Sequence, residues 1–476
     1  MQASSNRVPP VDLTLFISLY AAQFALALSG LALHKLEGKP LSAWISSTPG
    51  IALITGVAVL IVAVVLIGFA YFKRARTDSR AFGFTVAMNL ITVALLVTAV
   101  EVALRGLSRD STDVPVLGDT FLLPRDWNKA VSHNRQLLDK LASTLSYLVY
   151  DETLGWTVAP NRRSTDGVHF SSAEGLRAAA PDAVLSSFID RRRIALVGDS
   201  YVFAEHVRFE NSYGNLLEEA LGANVQVLNF GVPGYGLDQA YLKFNKEVLA
   251  WKPEVVVLGF PEHDLFRTMT VYPFINWPDW NIPFSKPRLV LDRGELRSLN
   301  VPTITPSKMF AMNSVSELPF LEYDQGYSGD EWKHGVLDMF YAKRWLFMHF
   351  PRWSEKPPHL GDAERLRLNS AVLNEFIRSA RENGIKPLIV FFPSPSDLTR
   401  RSKGLETTAQ QALKTLGVTV LDTAPCLIKA GSTKDIYLPD DPHYSALGNA
   451  AVAKCVRPAL EEILAERAQK PVAPAQ

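Results

Sequence analysis

At 476 residues the chain is longer than one hydrophobic core usually serves, so two or three structural units are expected. The charges nearly cancel, 49 Lys and Arg against 48 Asp and Glu, and no basic block is long enough to track phosphates, which argues against a nucleic-acid partner. Hydrophobic residues make up an ordinary 47% of the chain but crowd its first 110 positions, and that asymmetry points to a lipid bilayer.

Residues 13–33, 51–72 and 81–100 are uncharged runs near the roughly 20 residues a helix needs to cross hydrocarbon. The alternative for the first run is a cleaved signal peptide. Against that, its apolar stretch exceeds the usual h-region of about 7 to 15 residues, and its leader carries only Arg7. Lys73, Arg74, Arg76 and Arg80 crowd the loop 73–80, whereas loop 34–47 sets two lysines against Glu37. Positive charge beside a span stays on the cytoplasmic side, which predicts a cytoplasmic N-terminus and an extracytoplasmic chain after residue 105. Gln23 and Asn89 lie inside spans, where paired amides bridge helices.

Residues 106–190 read as a linker with a small cap, including a helix at 127–149 and a turn-rich DETLGWTVAPNRR. From 191 to 466, near-continuous apolar strands at 194–199, 224–230, 254–260, 386–392 and 417–422 alternate with helical patterns at 211–222, 237–250, 363–383, 405–416 and 445–466. That rhythm predicts an α/β domain with a flavodoxin-like, doubly wound, parallel five-stranded sheet, whose ligands bind beyond the carboxyl ends of the strands. The Pro-, Trp- and Phe-rich stretch 262–361 breaks the rhythm as a long insertion after the third strand, with a hairpin around Asp292, Arg293 and Gly294. Residues 467–476 form a low-complexity tail expected to be disordered. The expected organisation is therefore a three-span anchor at 1–105, the linker and cap, the α/β domain and the tail.

The first strand of that domain, IALVGDS, ends on Gly198, Asp199 and Ser200. A buried strand has no need of polar residues at its tip. A serine hydroxyl becomes a nucleophile when an oriented imidazole takes its proton, and YLPDDPHYSALG offers His443 on a Pro-rich turn, with Asp440 three positions before it and Asp441 beside Asp440. After the second strand, NFGVPGYG offers bare backbone amides, and the third strand ends in GFPEHD at the same rim. The histidines lack ligand spacing and no CxxC occurs, so no metal or other cofactor is expected. Cys426 and Cys455 form either a disulfide that braces the His443 loop or two buried thiols.

These blocks resemble the SGNH, or GDSL-like, hydrolases, with Gly-Asp-Ser after the first strand, an Asn-to-Gly stretch after the second, GxND after the third and DxxH near the C-terminus. The resemblance covers about residues 190–466. It implies Ser200 as nucleophile, His443 as general base, Asp440 as its orienter, and the Ser200 and Gly234 amides as oxyanion donors. One block departs: His263 stands at the Asn position of GxND and either replaces its hydrogen bond or serves structure alone. DETLGW and GYGLDQAYL also look like membrane-anchored envelope members of the family. That likeness implies a multi-pass protein of the bacterial inner membrane whose catalytic domain is periplasmic and acts on acyl esters, acetyl above all, of envelope glycans or on small esters. Two other readings fit the same residues: an O-acyltransferase supplied by a separate membrane acyl-donor protein, and a weakly catalytic glycan-binding component of an envelope complex.

Overall fold

The computed structural model describes residues 12–36, 48–75, 79–144, 146–280, 282–349, 358–414 and 416–468. Loop 37–47, the heart of the basic loop at 76–78 and the tail beyond 468 lie outside the described residues. Contacts divide the chain into two units: Met1–Lys129 with Gly329–Lys356, and Ala130–Ser328 with Pro357–Gln476.

The first unit holds α1 (Leu13–Leu36), α2 (Thr48–Ala70) and α3 (Ser79–Leu107), which contain three stretches long and apolar enough to cross a membrane. Large apolar side chains such as Ile61, Val65 and Leu95 are exposed on them, as a hydrocarbon solvent would favour. The amides of α1 and α3 pair, Gln23 Nε2 donating to Asn89 Oδ1 at 2.9 Å, which satisfies one polar atom on each. The remainder of this unit includes a small antiparallel sheet (Arg109–Asp110, Pro115–Leu117, Thr120–Phe121) and a helix at Tyr341–His349.

The second unit is built on five parallel strands, β1 (Arg192–Gly198), β2 (Val225–Asn229), β3 (Val255–Phe260), β4 (Lys386–Phe391) and β5 (Val420–Asp422), in the order β5-β4-β3-β1-β2. This is the flavodoxin-like doubly wound order, with its switch point between β1 and β3. Both faces are covered, which is why β1 and β3 carry unbroken apolar runs. On one face α5 (Leu237–Lys246) and α6 (Asp362–Glu382) bury Phe244, Leu373 and Phe376 against Ala195, Val256 and Ile389. On the other, α4 (Tyr213–Leu221) and α7 (Ala446–Ala468) bury Leu217, Val452 and Leu460 against Ile194, Leu196, Val257 and Leu388.

The helix expected at 127–149 spans Trp127–Ser143. The chain then turns into a strand, Leu148–Asp151, which pairs antiparallel with Gly155–Val158. Residues 148 and 149, expected at the end of the helix, therefore belong to that hairpin. The second hairpin lies where expected, Arg288–Asp292 against Glu295–Leu299, with Arg293 at φ 52° and Gly294 at φ 91°, the pair of positive φ angles a tight two-residue turn demands. Cys426 and Cys455 are joined in a disulfide, which ties the helix Ala424–Ala430 to α7.

Candidate active site

β1 delivers Ser200 to the rim at the switch point. Gly198 sits where any Cβ would lie 2.2 Å from the Gly259 carbonyl of β3 and 2.4 Å from Val202, so only glycine lets the chain turn there. Asp199 caps the short helix Ser200–Phe203 by accepting from Tyr201 N at 2.9 Å, and Ser200 follows as its first residue. An amide in that position has no intrahelical acceptor.

His443, 243 residues away in sequence, reaches the same point, with its Nε2 2.7 Å from Ser200 Oγ. Its Nδ1 lies 2.5 Å from Asp441 Oδ1, so the tautomer that donates from Nδ1 to Asp441 leaves Nε2 to accept the serine proton. The carboxylate on the imidazole is thus that of Asp441, not of Asp440 as the DxxH spacing implied. Asp440 adopts a left-handed backbone, φ 57°, and is exposed, with no hydrogen bond or ion pair among the described residues. Asp441, after that reversal, accepts both the His443 backbone N–H (2.8 Å) and its ring, an Asx-type turn across Pro442. Tyr201 OH donates to Pro442 O at 2.6 Å and fastens the histidine loop to the helix that begins with Ser200.

The electrostatics suit proton transfer. The His443 hydrogen bond, aided by the nearby imidazole charges, holds Asp441 at about 2 against its partial burial. Burial depresses His443, but the Asp441 hydrogen bond and the charges of Glu205, Asp441 and Asp199 outweigh it and leave the imidazole more basic than usual. Glu205 Oε2 lies 3.6 Å from His443 Nε2, and burial pushes that carboxyl upward. Sequence reasoning passed over Glu205, and its one signal is its place five residues beyond Ser200. His206, at 3.5 Å from Asp441 Oδ2, was likewise given no role.

Asp199 is fully buried and its burial penalty is outweighed by His263, Arg267 and the Tyr201 amide, which bring it to about 2. Arg267 Nη1 bridges Asp199 Oδ2 (3.0 Å), Asp264 Oδ1 (2.8 Å) and Tyr235 O (3.1 Å). This locks the ends of β1 and β3 to the loop after β2. His263 Nε2 stands 3.5 Å from Asp199 Oδ2 and 3.8 Å from Asp264 Oδ1, and has no hydrogen-bond partner among the described residues. Burial and the Arg267 charge lower its pKa to about 4, so the ring is neutral near pH 7.

Gly234 has φ 84°, and a Cβ there would meet Ile282 at 2.7 Å and Trp156 at 3.3 Å. The DETLGW segment holds this loop: Trp156 Nε1 donates to Pro233 O (2.9 Å), Tyr235 OH to Trp156 O (2.6 Å) and Gln239 Nε2 to Leu154 O (2.8 Å). At the loop's root, Asn229 donates to Val202 O and accepts from Gly231 N.

Among the described residues, two groups have ligating atoms close enough for a cation, Glu205 with His206 and His443, and Asp199 with His263 and Asp264. In the first, His443 Nε2 is already engaged with Ser200, and in the second both carboxylates are engaged by Arg267. A cleft of about 690 Å³ opens beside Ser200 and His443, lined by His263, Ser394, Ser396, Lys434, Asp440 and Asp441 among others.

No family model matches the chain, and no curated protein matches it. Among solved structures it is similar to a lipase/acylhydrolase from Enterococcus faecalis, at 16% identity and a TM-score of 0.31 over 57% of this chain and 96% of that one. It is also similar to a putative lipolytic protein of the G-D-S-L family from Desulfitobacterium hafniense DCB-2 (14%, 0.29, 57% and 99%). A third is an acetylxylan esterase from Geobacillus stearothermophilus (14%, 0.29, 57% and 94%).

Proposed function

We propose that this protein is a membrane-anchored serine esterase whose catalytic unit lies outside the inner membrane and cleaves acyl esters, acetyl above all, of envelope glycans. The observation that carries the reading is the continuous chain Ser200 Oγ, His443 Nε2, His443 Nδ1, Asp441 Oδ1, with contacts of 2.7 and 2.5 Å at a sheet switch point. Ser200 Oγ attacks the ester carbonyl carbon while its proton passes to His443 Nε2, and Asp441 steadies the imidazolium that results. The negative charge on the carbonyl oxygen falls to the amides of Ser200 and Gly234, with the neutral His263 ring as the third donor. Collapse expels the alcohol, which takes the proton from His443, and leaves an acyl-serine. Water then gives its proton to His443 and attacks the acyl carbon, and collapse breaks the bond to Oγ, releasing the acid while His443 returns the proton to Ser200.

A glycan substrate agrees with the cleft beside the triad, whose hydroxyl, ammonium and carboxylate groups on Ser394, Ser396, Lys434 and Asp440 match a polyhydroxylated ligand. The wording of DETLGW and GYGLDQAYL supports the envelope setting, and the three apolar helices support the anchor. In the full-length protein in detergent, Ser200→Ala is expected to reduce p-nitrophenyl acetate turnover by about 10³ or more. Turnover unchanged by that substitution would remove the esterase reading.

A further inference from the structure

Residues 329–356 leave the α/β unit and join the unit of the three apolar helices. Within them, the single turn Val336–Met339 and the helix Tyr341–His349 expose Val336 (87%), Leu337 (61%), Met339 (62%), Phe340 and Trp345. Exposed apolar residues this dense on a short segment mark a surface that is covered by something. Its attachment says by what. Glu101 is the first charge after the apolar run of α3, and its carboxylate accepts Tyr341 N and Ala342 N, each at 2.9 Å, as the cap of that helix. Arg105, one turn further on, donates to Glu101 Oε1 (2.7 Å) and to Met339 O (2.5 Å), and its guanidinium stacks on the Tyr341 ring.

The segment is therefore held at the level where α3 ends its apolar stretch, a level at which Val102 and Leu107 of α3 are also bare. Lys343 and Arg344 accompany them, both tied back to Asp338, and Trp345 supplies the amphipathic ring that favours a bilayer boundary. We propose that residues 336–349 lie in the outer membrane–water interface as a second, monotopic anchor that immerses Val336, Leu337, Met339 and Phe340 among lipid chains. The inference rests on the reading of α1 to α3 as membrane spans.

The test places a nitroxide at Leu337→Cys and, separately, at Val336→Cys in the full-length chain with its disulfide oxidised, reconstituted in phospholipid nanodiscs. Leu95→Cys on α3 serves as the span reference, and Lys403→Cys on the α/β unit as the water reference. Both anchor labels are expected to collide with oxygen more than with a water-soluble nickel chelate, as the Leu95 label does. Anchor labels open to the chelate like Lys403, or shielded from both reagents because the α/β unit or a second copy covers them, would overturn the inference while a lipid-facing Leu95 leaves the spans intact. Chelate access at Leu95 itself would overturn the spans and the inference together.

Discussion

Asp440 and Asp441 are adjacent acids on one Pro-rich loop, and only the backbone decides which of them meets His443. Spacing favours Asp440, but a left-handed φ at that residue turns it out to solvent and brings Asp441 under the ring. A sequence pattern counts residues and carries no sign of φ, so the meeting of Ser200 with His443 was legible while the contact of His443 with Asp441 was not. The two carboxylates should separate cleanly in kinetics. Asp441→Asn is expected to lower kcat/KM on p-nitrophenyl acetate by roughly three to four orders of magnitude, as loss of an orienting acid does elsewhere. Asp440→Asn should stay within a few-fold of the wild type. The pH profile carries the same sign: His443 works only when neutral, and its pKa is raised, so the rate should fall with pH through a midpoint above the usual histidine value of about 6.5. In any residual Asp441→Asn activity that limb should move to lower pH. Equal losses in the two variants would put the orienting role elsewhere.

At the scale of elements, the parallel strands were the most legible feature, because β1, β3 and β4 are buried on both faces and read as unbroken apolar runs. The hairpin at Arg293 and Gly294 was equally plain from its turn residues. The end of the helix Trp127–Ser143 was not, since residues 148 and 149 of an apolar strand that follows it closely mimic its continuation. The role of the hairpin they begin shows only in three dimensions, where Trp156 and Leu154 hold the loop that carries Gly234. The Cys426–Cys455 disulfide works on the opposite wall, tying α7, which follows the His443 loop, to Ala424–Ala430 across 29 residues of chain. Replacing both cysteines by serine is expected to cost about 2–4 kcal/mol, chiefly by freeing the unfolded chain, and to lower the Tm of the detergent-solubilised protein. An unchanged Tm would mean that the covalent link adds nothing to the packing of Leu427 and Val456.

For the whole molecule, the apolar helices and the α/β rhythm were both open to reading from composition, because each repeats one physical pattern over many residues. The allegiance of residues 329–356 was hidden, since no periodicity announces it and it depends on Glu101 meeting two amides about 240 positions away. The same distance in sequence separates Ser200 from His443, and the proposed chemistry stands on their meeting. The most direct measurement is covalent labelling of the full-length protein with a fluorophosphonate, followed by peptide mapping. A single adduct on Ser200, lost in His443→Ala, is the expected result. An adduct on another residue, or labelling of Ser200 that survives removal of the imidazole, would contradict it.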